Sequence, residues 1–180
     1  MHPGALSALF VNLAGGACVL ASYALGFTGN PESVGRLWGG VPKALQPTHT
    51  TSMLLATVGY FAFTHFLVLR VEPQRMRIAE RWTYSAFVGL YAALLIPSAR
   101  WMPLTFRMLD APSNSTWIAT RAVLAVVGGA SVLLVVALCK VSPREPRWAW
   151  RLAVLGAFAF AVQTALLDAL VWPAYFPHTG

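Results

Sequence analysis

Five long apolar runs, each close to the length that crosses a lipid bilayer as a helix, constrain this chain more than any other feature. A hydrocarbon core about 30 Å thick needs roughly 20 apolar residues in a helix, within a range of about 17–25. Residues 5–27, 51–69, 82–99, 116–139 and 152–172 meet or nearly meet that requirement. Composition agrees: 57% of the 180 residues are hydrophobic and only 11% charged, against about 25% charged in soluble domains. The predicted fold is all-α, a polytopic transmembrane bundle of five helices forming one domain over residues 1–180, without repeats or low-complexity tracts. The first run lacks the basic n-region of a secretory signal and exceeds its usual apolar length, so it reads as a retained helix. No arginine precedes Arg36, unlike in an organelle transit peptide.

The third run is the weakest, because Pro97 lies inside it and Arg100 follows at once; its helix is expected to kink or end at the proline. The longest link, residues 28–50, contains Gly29, Pro31, Gly35, Gly39, Gly40, Pro42 and Pro47, which leaves room only for a short interfacial helix over 32–38. Such a loop is either a cap over the bundle mouth or a plain connector. Lys and Arg near the helix ends number eight on one side (Arg70, Arg75, Arg77, Arg81, Lys140, Arg144, Arg147, Arg151) and five on the other (Arg36, Lys43, Arg100, Arg107, Arg121). The positive-inside rule then places the amino terminus inside and the carboxyl terminus outside.

The net charge of +7 does not indicate nucleic acid, since the arginines sit singly beside apolar runs rather than on a polar face with interleaved aromatics. Membrane lipids are the partners this pattern implies, with basic loops facing anionic headgroups. The two cysteines, Cys18 and Cys139, have neither CxxC nor metal-ligand spacing and read as small buried packing residues. Trp82, Trp101, Trp117, Trp148, Trp150 and Trp172 flank apolar runs, as an aromatic belt does. Trp38 stands apart in the 28–50 loop, where it either anchors the loop at the interface or closes over a ligand. Asn114-Ser115-Thr116 matches a glycosylation sequon but lies beside Trp117, close to the membrane.

Polar groups inside a bilayer are expensive, so they are the first candidates for function. Thr57, Tyr60 and Thr64 form a polar stripe along the second helix with His65 beside it, serving either interhelical hydrogen bonds or a ligand or proton path. His49 and His65 are 16 residues apart, about 24 Å along a helix, and cannot clamp one haem. His2 and His178 lie in the tails, so a bis-histidine haem site within the chain is not expected. The spans contain no lysine for a retinal Schiff base, and the chain has no HExxH, GxSxG or Walker motif. Asp168 is the one acidic residue within a span. It is expected to pair with Arg121, each lying about 6 Å inside the interface marked by Trp172 and Trp117. Should Asp168 instead lie beside the Trp38 loop with His49 and Arg100, these groups would floor a site for a polar-headed ligand. In the fifth helix Ala153, Ala157, Ala161, Ala165 and Ala169 recur every fourth residue, forming a ridge that lets another backbone approach.

Five helices in a chain of this length, Pro42 and Pro47 before the second helix, and the stretch from Thr164 to Trp172 resemble, in architecture, the TspO/translocator family of tetrapyrrole and sterol binders. That family's tryptophan-rich loop and helix start are absent, since no tryptophan occurs between Trp38 and Trp82, and no family residue is carried over. The near-absence of catalytic groups favours a non-catalytic accessory or structural subunit among membrane-protein partners. The alternative is a binder or carrier of a small hydrophobic molecule such as a lipid, sterol, pigment or tetrapyrrole. A third reading is a membrane isomerase or reductase using His65, Tyr60 or Asp168. The residues specify no cofactor.

Overall fold

The computed structural model describes residues 3–177. His2 and His178 lie outside the described residues. Five helices are long and apolar enough to cross a membrane: α1 Pro3–Gly29, α2 Gln46–Arg70, α3 Ser85–Asp110, α4 Asn114–Cys139 and α5 Arg147–Tyr175. This is an all-α bundle with the composition of a multi-pass integral membrane protein. Backbone polar groups have no water to bond in hydrocarbon, and helices satisfy them internally.

Neighbouring helices in space run α1, α3, α4, α5, α2. The ring closes weakly between α1 and α2, through the last turn of α2 and a hydrogen bond from Tyr60 Oη to Asn12 Oδ1. The tightest crossing joins α2 and α5 at two glycines. A Cβ added to Gly156 would lie 2.6 Å from the carbonyl oxygen of Gly59 and 2.7 Å from its Cα, so the two backbones touch with nothing between them. Ala153 and Ala157 are fully buried on either side of Gly156, and Ala161 is buried one turn on. The alanine ridge therefore acts within the chain. Further along α5, a Cβ on Gly128 of α4 would lie 2.9 Å from Ala165 Cα.

The links joining α2 to α3 and α4 to α5 meet at one end of the bundle. Two short strands, β1 Arg77–Ile78 and β2 Val141–Ser142, pair antiparallel with Arg77 opposite Ser142 and Ile78 opposite Val141. This basic end carries the larger arginine group. There Tyr84, with its phenol pushed up to about 12 by burial, donates a 2.9 Å hydrogen bond to the carbonyl of Leu67. At the opposite end, residues 30–45 form a loop that holds a 3-10 helix, Pro31–Trp38, one residue longer at its start than the segment expected.

Three expectations need correction. α3 does not stop at Pro97 but continues through Arg100 and Pro103 to Asp110. Met102, Phe106, Met108 and Leu109 bury beyond the proline, and this packing holds the helix where the apolar run has ended. Cys18 and Cys139 are exposed rather than buried, since a small apolar side chain is equally at home against lipid. Trp101, Trp117 and Trp172 turn inward and cluster, whereas Trp82 and Trp148 are exposed as belt residues are.

Candidate functional site

α5 is interrupted in its second half by ten residues that are not α-helical, and the α-helix resumes over Trp172–Tyr175. Residues Val162–Val171 form a π-helix, in which hydrogen bonds run from i to i+5 and side chains five apart stack on one face. On an ordinary α-helix Gln163 and Asp168 would point about 140° apart. Here Gln163 Nε2 donates to Asp168 Oδ1 at 2.7 Å. On the other side of the segment, Thr164 Oγ1 lies 2.8 Å from Ser131 Oγ, and Ser131 donates to the carbonyl of Gly128 at 2.7 Å. α5 is thus pinned to α4 by hydroxyls while its carboxyl and amide groups face the bundle interior.

A chain of aromatic residues from α1, α3 and α5 leads from Asp168 to the loop. Tyr23 of α1 is within electrostatic reach of Asp168, and its ring lies 5.8 Å from that of Trp101 in α3. Trp101 meets Trp172 edge to face at 6.0 Å, and Trp172 Nε1 donates to the carbonyl of Leu37 in the loop at 2.9 Å. Next in the loop, Trp38 meets His49 edge to face at 6.1 Å. Gly40 N donates to Tyr175 O at 2.8 Å, and Gly39 adopts φ +56° against Phe176, so the loop is tied down over this end of α5.

Three buried side-chain atoms lack a hydrogen-bond partner among the described residues: His49 Nε2, Trp101 Nε1 and Gln163 Oε1. Unpaired buried polar atoms cost roughly 1–3 kcal/mol each, so most proteins avoid them. His49 lies against Trp38 of the loop, Trp101 packs against Tyr23 and Trp172, and Gln163, nearer the middle of α5, holds Asp168 through its amide nitrogen.

The other anticipated residues disperse. Thr57 is exposed and its hydroxyl folds back to the carbonyl of Met53 at 2.9 Å. Tyr60 and Thr64 face inward, where Tyr91 Oη donates to Thr64 Oγ1 at 3.0 Å and the rings of Tyr60, Phe63, Tyr91 and Phe160 pack together. The polar stripe is therefore split, with its inner part bridging helices. A Tyr60→Phe variant is expected to lose about 0.6 kcal/mol, and at most about 1.7 kcal/mol, of stability in detergent, measured by thermal unfolding. His65 lies at the basic end, where it accepts a 3.1 Å hydrogen bond from Arg70 Nε, and Arg70 also stands over Trp148. Arg100 is exposed and outside the cluster.

The anticipated ion pair is absent: among the described residues the salt bridge present is Arg75–Glu72, and Arg121 and Asp168 form none. Arg121 is exposed at the edge of the face of α4 on which Trp117, Thr120 and Leu124 are buried. Equal depth does not imply equal direction around the helix axis. Sequence reading also missed Asn12, Tyr23 and Gln163. A polar residue within an apolar run is a plain signal for the first and last, whereas nothing in the sequence marks Tyr23.

No three His, Cys, Asp or Glu side chains among the described residues group as a metal site would need. What the arrangement offers is one carboxyl group, one free amide oxygen and one free indole N–H in an aromatic setting under a tied loop. Such a set can receive a polar head that both donates and accepts hydrogen bonds. The chain matches no protein-family model, and no curated protein or solved structure matches it.

Proposed function

We propose that this chain is a multi-pass membrane protein that binds or carries a small hydrophobic molecule with a hydroxyl or amine head. The head is received by Asp168, Gln163, Trp101 and Tyr23, and the loop of residues 30–45 closes over it. The observation that supports this reading most is Asp168 held by Gln163, whose Oε1 is buried and unpaired, with Tyr23 within electrostatic reach and the unpaired Nε1 of Trp101 on the ring that packs against Tyr23. An acidic group in hydrocarbon is retained against a penalty, and a polar ligand head relieves it. This geometry moves the emphasis from the accessory-subunit reading, for which the site would have no purpose, to the ligand reading.

Extraction of the purified protein followed by mass spectrometry tests the proposal. One apolar species with a single hydroxyl or amine head is expected, in roughly equal amount with the protein. Recovery of bulk lipids only, in the proportions of the source membrane, would count against it.

The proposed orientation places the basic end, with its eight Lys and Arg residues, inside and the loop over the site outside. In a cysteine-free background, Gln74→Cys should be labelled from the inner side only and Ser113→Cys from the outer side only. Labelling of both from one side would contradict the five-span topology.

A further inference from the structure

A second feature lies along the α1–α3 contact, lined by residues of these two helices and by none of the residues assigned to the Asp168 site. It is a groove with a volume of about 710 Å³, within the range of about 300–1,000 Å³ common for small-molecule sites. Small residues make it: Ala21 and Gly26 on α1 stand across from Ala99 and Pro103 on α3. Its floor is closed by Phe106, against which a Cβ on Gly26 would lie 2.8 Å away, so α1 and α3 already touch beneath it. The groove follows residues 18–30 of α1 and 99–111 of α3, about 18 Å at 1.5 Å per residue. It starts near the middle of both helices and ends at their loop-end termini. One leaflet of hydrocarbon is about 15 Å deep. The dimensions are those of a single acyl chain inserted from one leaflet.

The mouth supplies the second observation. Arg107 and Asp110 line it, both exposed, and neither side chain has an ion pair or hydrogen bond among the described residues. They are three residues apart on one helix face yet do not pair with each other. A cation and an anion held apart at headgroup depth match a head that carries both signs.

We infer that the groove is a binding site for a zwitterionic, amine-headed phospholipid of the surrounding bilayer. One acyl chain lies along Ala21 and Pro103, the phosphate meets the Arg107 guanidinium, and the ammonium donates hydrogen bonds to the Asp110 carboxylate. Guanidinium–phosphate contacts are charge-assisted and can be bidentate. A glycerol-headed lipid offers Arg107 the same phosphate but meets Asp110 with neutral hydroxyls in place of an ammonium. This site is separate from the one around Asp168 and does not depend on it.

Native mass spectrometry of the full chain with phosphatidylethanolamine or phosphatidylglycerol of identical chains tests the inference. Wild type is expected to retain the ethanolamine lipid at least fivefold better. Asp110→Asn should remove that preference, Arg107→Gln should lower retention of both lipids, and Asp168→Asn should change neither. Ala21→Trp, which fills the groove, should release bound lipid while circular dichroism shows the helices intact. Equal retention of the two lipids by wild type, or unchanged retention in Asp110→Asn and Ala21→Trp, would show non-specific annular lipid and overturn the assignment.

Discussion

Gly156→Val is expected to prevent stable folding of this protein, whereas Gly129→Val is expected to behave as wild type. At Gly156 the obstacle to any side chain is the backbone of Gly59, which cannot rotate away as a flexible side chain can. Overpacking of a core typically costs about 1–3 kcal/mol and sometimes more. Here the two helices must separate along their whole contact, so the upper end of that range or beyond applies. Gly128 and Gly129 supply an internal control in α4. A Cβ at Gly128 meets the backbone of Ala165 at 2.9 Å, while nothing lies within 4 Å of a Cβ at Gly129. Gly128→Val should therefore lower the thermal midpoint in detergent strongly and its neighbour should not. Similar midpoints for the Gly128 and Gly129 variants would contradict the α4–α5 packing described above.

Asp168→Asn is expected to act with opposite signs on stability and on binding. An acidic residue at the centre of a membrane helix costs about 2.5–3.5 kcal/mol, and less towards the ends. Asp168 sits seven residues before the end of α5 at Tyr175, about 10 Å along the helix, so a part of that penalty applies. Asparagine keeps an acceptor for Gln163 but removes the carboxyl group. With no ligand present, the variant should melt at or above the wild-type temperature. With the extracted ligand added, wild type should gain stability and the variant should bind at least tenfold more weakly, about 1.4 kcal/mol. A purely structural Asp168 predicts the reverse, a loss of stability with binding unchanged. Arg121→Gln should leave both readings alone, and in the double variant the effects should add.

The five spans were legible because hydrocarbon thickness acts on composition directly: an apolar run of sufficient length has few other uses. Its ends were less legible where apolar character and helix part company. In α3 the arginines and prolines after Ala99 interrupt hydropathy, yet Met102, Phe106 and Leu109 continue the buried face and the helix with it. Small residues on α5 were visible as a ridge, but the decisive contact is Gly156 with Gly59, two single glycines far apart in sequence. The Asp168 region was legible in part. Its acidic residue and the covering loop with Trp38 and His49 could be picked out. Its partner could not, because reasoning from a period of 3.6 residues fails across a π-helix, where Gln163 rather than Arg121 comes to Asp168. Helical depth is a sequence property; direction around the axis depends on which face packs, and α4 turns Arg121 to the outside.

Native mass spectrometry of the wild-type protein, released from mild detergent without added ligand, tests the central claim most directly. The proposed function predicts a species at the mass of one 19.5 kDa chain plus one small molecule other than a phospholipid, which the Asp168→Asn protein lacks. Absence of that small molecule from both proteins, or a wild-type chain found only within a larger assembly of other subunits, would contradict it.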